Sequence, residues 1–194
     1  MFAEALPTAE AFRSPRAWGF TLLGLDAYCA VIPMDLHARD VRRALADRLM
    51  TILAFVETPS WVWFEAGLAY DNARLPQALM LTGMATKTPA YVDAGLKSLH
   101  WLMTQQTAPA GHFRPVGTAG FGEQHPRAFD QQPVEATATI AACLAAWLAD
   151  GDAEWKAIAP RVFASFLGSN DLSVALVISP ESPTTGRAMT SLIF

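Results

Sequence analysis

The stretch from residue 60 to residue 79, Ser60-Trp-Val-Trp-Phe-Glu-Ala-Gly-Leu-Ala-Tyr-Asp-Asn-Ala-Arg-Leu-Pro-Gln-Ala-Leu79, puts acids, an amide, an arginine and several aromatic side chains into apolar surroundings. Its pattern predicts a buried helix over about 61–83, because Thr58-Pro59-Ser60 is a typical helix start. On that helix Glu65 and Asn72 would share one face. Pro76 would kink it near Asn72, since proline removes a backbone hydrogen bond.

Capping residues and apolar runs predict five further helices. They begin at Ser14-Pro15, at Asp35 or His37, at Thr88-Pro89, at Asp130 or Gln131, and at Asp152. The helices near 61 and 131 are apolar nearly all round, whereas those near 35 and 152 carry the charges. This contrast predicts an all-α fold of three consecutive hairpins, with inner helices wrapped by outer ones. Residues 172–178 fit either a short helix or a strand.

Composition excludes several classes of protein. The 194 residues fit one domain, 1–194, with 52% apolar and 16% charged residues. A net charge of −4 without a basic patch argues against nucleic acid. We expect no membrane span and no secretory signal. Cys29 and Cys143 fit buried free thiols in a reducing cytoplasm, and no cluster suggests a metal or another cofactor.

A second polar cluster, Phe129-Asp-Gln-Gln-Pro-Val-Glu-Ala136, starts the later inner helix and follows a long loop at 108–128. Loops of this length inside a compact domain are often functional. We expect the loop, through His112 and Arg114, and both clusters to line one carbohydrate site. Acids, amides and arginine bind sugar hydroxyls, and aromatic rings stack on the apolar faces of sugars.

The predicted site has two groups of residues. The candidate catalytic acids are Glu65, Asp71 and Glu135. The candidate substrate-binding residues are Trp63, Asn72, Arg74, His112, Arg114, Asp130, Gln131 and Gln132. Structural alternatives stay open: Asp130 and Glu135 as helix caps, Glu65 in a buried ion pair with Arg74 or with another arginine, and the aromatic rings as core.

Five motifs resemble a known family. They are Trp-Phe-Glu at 63–65, Tyr-Asp-Asn-Ala-Arg-Leu-Pro-Gln-Ala-Leu at 70–79, Gly-His-Phe-Arg-Pro-Val-Gly at 111–117, Phe-Asp-Gln-Gln-Pro-Val-Glu-Ala at 129–136 and Phe-Leu-Gly-Ser-Asn-Asp-Leu at 166–172. The family is a bacterial helical domain associated with glycosyltransferases and related to the six-hairpin glycosidase-like (α/α)6 toroids. The resemblance covers about residues 14–178.

The resemblance implies a carbohydrate-related role and about half of a twelve-helix toroid. The family continues into an Asn/Gly/Ala/Glu motif that the tail at 179–194 lacks, so the chain is expected to be C-terminally truncated. Three hypotheses follow. The chain acts on a glycosidic bond, as a hydrolase-like or glycosyltransferase-associated enzyme; it is a non-catalytic glycan-binding accessory domain of a glycosyltransferase; or it is an inactive half-toroid that self-associates.

Overall fold

The computed structural model describes residues 2–117 and 130–177, and these form seven α-helices and one short 3-10 helix. The α-helices are α1 (Phe2–Glu10), α2 (Pro15–Val31), α3 (Leu36–Val56), α4 (Arg74–Thr86), α5 (Pro89–Gln105), α6 (Pro133–Asp150) and α7 (Ala153–Phe163), and the 3-10 helix is Ala164–Phe166. In these two ranges the β structure is limited to isolated bridges, such as Thr107 with Phe113. The all-α prediction is confirmed.

The helices pair into three hairpins, α2–α3, α4–α5 and α6–α7, joined by the short connections 32–35, 87–88 and 151–152. Short connections between packed helices make each pair antiparallel. The capping residues explain the breaks: Asp35 accepts the Ala38 backbone N–H, and Asp152 accepts that of Glu154. Gly151 ends α6 in the left-handed region at φ 76°.

Helices α2, α4 and α6 pack side by side as an inner row, with α3, α5 and α7 outside them. Close approach in this arrangement depends on small residues. A Cβ at Gly19 would lie 2.9 Å from Leu75 Cδ2 across the α2–α4 contact, and one at Gly95 would lie 2.5 Å from Met80 Cγ between α4 and α5. The predicted inner and outer helices are therefore observed.

The helix predicted over 61–83 is wrong in its first half. Residues 57–73 form an irregular segment and α4 begins only at Arg74. Pro76 thus lies in the first turn of α4. Backbone N–H groups in the first turn have no acceptor within the helix, so a proline there removes no hydrogen bond and does not kink the helix. Asp71 has φ 54°, which ends any helical path into this turn. Glu65 and Asn72 are consequently not two turns apart on one face.

Smaller corrections concern the other boundaries. Helix α1 was not predicted from the sequence; its Leu6 is buried, and α1 packs against α3. The N-cap of α6 is Gln132 rather than Asp130 or Gln131. The chain forms neither helix nor strand from Leu172 to Val177, apart from a bridge between Leu167 and Ala175, and Ile178 lies outside the described residues.

The topology brings the long connections to one end of the molecule. The inner helices all begin at this end, next to the segments 57–73, 106–117, 130–132 and 167–177. We call it the N-end, after the N-termini of α2, α4 and α6. The short hairpin turns lie at the opposite end. All eleven candidate catalytic and substrate-binding residues lie in the described ranges, whereas residues 118–128 of the predicted loop lie outside them.

Candidate functional site

A buried polar network joins the starts of the three inner helices. Arg16 comes from the first turn of α2, Asn72 immediately precedes α4, and Glu135 lies in the first turn of α6. The Asn72 and Glu135 side chains are fully buried, and Arg16 is nearly so. Since buried polar groups are costly without partners, these three residues need one another to be accommodated.

Asn72 is the centre of this network. Its Oδ1 accepts hydrogen bonds from Arg16 at 3.0 Å and from the Ala69 backbone N–H at 3.0 Å. Its Nδ2 donates to Glu135 Oε2 at 3.0 Å, and its backbone N–H donates to Glu135 Oε1 at 3.3 Å. One amide side chain therefore holds the segment before α4 against both neighbouring inner helices.

Glu135 also receives a hydrogen bond from the outer layer. Gln106, at the end of α5, donates to Glu135 Oε2 at 2.9 Å and accepts from Thr139 at 3.3 Å. Burial raises the pKa of Glu135, although the bonds from Asn72 and Gln106 act in the opposite direction. The carboxyl group is enclosed by protein donors on both oxygens, as a structural anchor would be.

Glu65 lies at the outer edge of the same network. Its Oε2 accepts from Arg16 at 2.7 Å, and its side chain is 25% exposed. Burial raises the pKa of Glu65, with the Arg16 guanidinium lowering it in part. Arg16 also donates to the Tyr70 carbonyl and lies 5.2 Å from the centre of the Tyr70 ring, which is 53% exposed. An acid, a cation and an exposed aromatic ring thus meet at the surface.

The ion-pair alternative for Glu65 named Arg74 or another arginine, and the observed partner is that other arginine, Arg16. Arg74 instead lies 3.6 Å from Asp71 and donates to Gln77 at 3.0 Å. The reason is the irregular segment, which carries Glu65 away from α4 and toward the first turn of α2. Asp71 Oδ1 is buried and has no hydrogen-bond partner, and its backbone has the unusual positive φ noted above.

A second cluster is centred on Asp171. Arg114 binds both of its oxygens, with Nε at 2.9 Å from Oδ2 and a terminal nitrogen at 2.6 Å from Oδ1. His112 Nε2 lies 2.8 Å from Oδ1, and Gln131 donates to Oδ2 at 2.6 Å. Burial raises the pKa of Asp171, but these bonds outweigh it and bring the pKa to about 2.

The two clusters are connected through the backbone. The Arg114 N–H donates to the Gln106 carbonyl at 2.8 Å, and Gly117 pairs with Gln131 just before α6. Asn170 shapes the turn that presents Asp171, because its side chain bonds the backbone of Ser165 and Val174. The N-end therefore carries one continuous set of polar residues from Glu65 to Asp171.

The predicted site residues other than Trp63 fall into four groups. Glu65, Asn72 and Glu135 share the first cluster, and His112, Arg114 and Gln131 share the second. Asp71 and Arg74 pair with each other beside Asn72. Asp130 is exposed with φ 65°, and Gln132 caps α6 and accepts the Glu135 backbone N–H; these two residues bring the N-end segment into α6.

Trp63 is a core residue and lines no open surface. It is fully buried and stacks on Trp101, with 5.8 Å between the ring centres. Its ring meets that of Phe64 edge to face, with 5.3 Å between the centres. Trp61 is also buried, and its indole N–H donates to the Glu65 carbonyl at 2.8 Å. The aromatic rings before Glu65 thus anchor the irregular segment, as the core alternative proposed.

Sequence reasoning missed four members of the clusters: Arg16, Gln106, Thr139 and Asp171. Asp171 had a signal, because it lies in the Asn-Asp-Leu motif at 170–172. The other three occupy ordinary helical positions and are identified only by what they contact. Groups of three or more potential metal ligands do not occur among the described residues.

Comparison with protein-family models, with curated proteins and with solved structures finds no match to the chain. The resemblance to the glycosyltransferase-associated toroid family therefore stays a prediction. None of the helices in 2–117 and 130–177 is long and apolar enough to cross a membrane.

Proposed function

We propose that the N-end binds carbohydrate, with Glu65, Tyr70, His112, Arg114 and Asp171 at or beside the sugar. The observation that carries this proposal is the exposed Tyr70 ring beside the Arg16–Glu65 pair. A ring with an adjacent acid and cation can stack on the apolar face of a sugar while charged groups bind its hydroxyls.

The balance of charge favours a neutral polar ligand. Two partly exposed acids of the N-end are each matched by one arginine, Glu65 by Arg16 and Asp171 by Arg114. A site for phosphate or nucleic acid would need an excess of cations. Paired acids and arginines instead present acceptors and donors in similar numbers, which suits the hydroxyl groups of a sugar.

The proposed roles differ with exposure. Tyr70 stacks on the sugar, and Glu65 and Asp171 accept from its hydroxyls. Asn72 and Glu135 act as positioning residues, because they are fully buried and hold the segments that carry the others. Glu135 is therefore proposed here as a support for the site rather than as one of its catalytic acids.

Isothermal titration calorimetry with oligosaccharides tests the binding proposal. Tyr70→Ala and Glu65→Gln are each expected to weaken binding by roughly tenfold, the loss of one stacking or charged contact. Met34→Ala is the matched control, since Met34 is 77% exposed in the connection between α2 and α3, at the end opposite the N-end. Binding that survives Tyr70→Ala unchanged would place the ligand elsewhere.

Cleavage of a glycosidic bond is a second candidate, and one observation favours it. Glu65 combines a raised pKa with partial exposure, as a general acid requires. Asp71, the other candidate acid before α4, would be its partner. If the chain is a glycosidase, Glu65→Gln abolishes turnover of an aryl glycoside while Tyr70→Ala mainly raises KM. If wild type shows no turnover and still binds, the accessory-domain hypothesis is preferred.

A further inference from the structure

The end opposite the N-end exposes a cluster of apolar side chains that the proposed sugar site does not use. Four of the six residues in the turn between α2 and α3 are large and apolar, and all four project into solvent: Val31 is 80% exposed, Ile32 45%, Met34 77% and Leu36 66%. We call residues 31–36 the α2–α3 tip. Such a concentration of exposed apolar side chains marks an interaction surface.

Unpaired cations surround the tip. Arg39 and Arg43 follow it on α3, one helical turn apart, and Lys87 comes from the neighbouring α4–α5 turn; all three are exposed. Together with Met34 they line an open depression of about 540 Å³. No ion pair is formed by these three cations within the described ranges, in contrast to the arginines of the N-end.

The acids of this region are mostly engaged. Asp26 pairs with the buried Arg42, and Asp35 accepts from Tyr28 and from the Ala38 backbone. His37 lies 3.5 Å from Glu10. Asp40, next to Arg39, and Asp47, four residues after Arg43, are both exposed, and Asp47 accepts from Tyr91. The three cations therefore outnumber the one acid here, Asp40, that forms no hydrogen bond or ion pair within the described ranges, although the whole chain has a net charge of −4.

We propose that the α2–α3 tip docks on an anionic lipid surface, with its apolar side chains in the interface and Arg39, Arg43 and Lys87 against the lipid phosphates. Apolar side chains combined with basic residues are the signature of interfacial membrane binding. A lipid surface presents phosphates above an apolar layer, which matches the three exposed cations next to four exposed apolar side chains.

The backbone of the tip is compatible with this environment. The Ile32 N–H donates to the Tyr28 carbonyl at 2.9 Å, and the Asp35 N–H donates to the Ile32 carbonyl at 3.4 Å. Since both N–H groups already donate within the turn, neither would lack a hydrogen-bond acceptor when the tip enters the lipid interface. The Asp35 carboxylate limits the depth to the headgroup region.

Docking at the tip leaves the N-end accessible. Helix α3 runs from the tip for 21 residues, which is about 30 Å of helix. A chain bound through its tip would therefore present the N-end away from the lipid surface.

Flotation with vesicles tests the proposal. We expect binding to vesicles of equal parts phosphatidylglycerol and phosphatidylcholine, weakening with added salt, and no binding to phosphatidylcholine alone. Met34→Ser is expected to weaken binding roughly tenfold and Arg39→Gln about fivefold. The matched controls are Phe55→Ser and Arg13→Gln, which change an exposed apolar residue and an exposed cation away from the tip.

Several results would overturn the proposal. These are an absence of binding to either vesicle, equal binding to both, and binding that Met34→Ser and Arg39→Gln leave unchanged. If Met34→Ser instead alters the mass measured by sedimentation equilibrium, the tip packs on a second copy of the chain. If poly-glutamate without lipid binds the tip, the surface fits an acidic protein. Circular dichroism of each variant confirms that these exposed substitutions leave the fold intact.

Discussion

Replacing Glu135 with alanine tests whether the buried network holds the inner helices together. In the native protein the backbone N–H of Asn72 and the side-chain amide of Gln106 donate to Glu135, and neither donor has another acceptor in the part of the chain that the structure describes. Alanine would leave both donors buried without an acceptor, at about 1–3 kcal/mol each. Because the variant no longer has to bury a carboxyl group, part of that desolvation cost is recovered. We therefore expect the free energy of unfolding to fall by about 3 kcal/mol in total.

Urea unfolding followed by circular dichroism measures this loss as a lower midpoint with an unchanged m-value. Glu154→Ala is the matched control, because Glu154 lies in the first turn of α7 but is exposed. Its cost is expected to stay below about 0.5 kcal/mol. A loss under about 1 kcal/mol for Glu135→Ala would refute the idea that this carboxyl group organises the N-end.

The pH dependence of Glu135→Gln gives an independent check. Burial raises the pKa of Glu135 in the folded state, so its protonated form is the better tolerated one. The contribution of Glu135 to folding stability is fully present below the pKa that this group has in the unfolded chain, and it decreases as the pH rises through the pKa of the folded state. The stability gap between wild type and Glu135→Gln should therefore narrow as the pH is raised above about 4.5. A gap that widens with pH would show that the folded pKa is lowered instead.

Three further predictions concern other parts of the chain. Asp171→Asn should increase hydrogen exchange and proteolysis of residues 167–177. In the wild-type protein the contribution of Asp171 to folding stability should be lost as the pH falls below 3.8 toward its folded pKa of about 2. Gly95→Ala should lower the melting temperature and reduce the free energy of unfolding by about 1–3 kcal/mol, because the new Cβ would lie 2.8 Å from a backbone atom as well as against Met80. Gly19→Ala should reduce it less, because the only atom within 3 Å of its new Cβ is the end of a side chain. Cys143, whose pKa burial raises to about 12, should resist iodoacetamide at pH 8 until the protein is unfolded, which mass spectrometry of the alkylated chain detects.

Local chemistry explains the predictions that are confirmed. Asp35 and Asp152 cap their helices with a side-chain hydrogen bond, whereas Ser14 and Thr88 form no such bond and their helices begin at Pro15 and Pro89. Gly151 ends α6 in the left-handed region. Each of these effects involves only adjacent backbone, so it can be recognised without tertiary information. The same is true of the difference between apolar and charged helices, which predicted the inner and outer layers.

The segment 57–73 shows where this reasoning fails. Its aromatic and apolar composition also suits a helix, but Trp61, Trp63 and Phe64 are buried among residues distant in sequence, including Trp101. That burial and the Asn72 contacts outweigh local helical preference, since propensity differs by less than about 1 kcal/mol for ordinary residues. The site residues of this segment were therefore identified while their geometry was predicted wrongly.

The sequence by itself determined that this protein is all-α, that three hairpins follow one another, and that α4 and α6 are inner while α3 and α7 are outer, because capping and amphipathic patterns act over a few residues. Only the tertiary structure decided that Arg16 rather than Arg74 holds Glu65, that Glu135 is enclosed by Asn72 and Gln106, and that Asp171 joins His112 and Arg114. These contacts join residues that are 29 to 63 positions apart, and packing alone selects them.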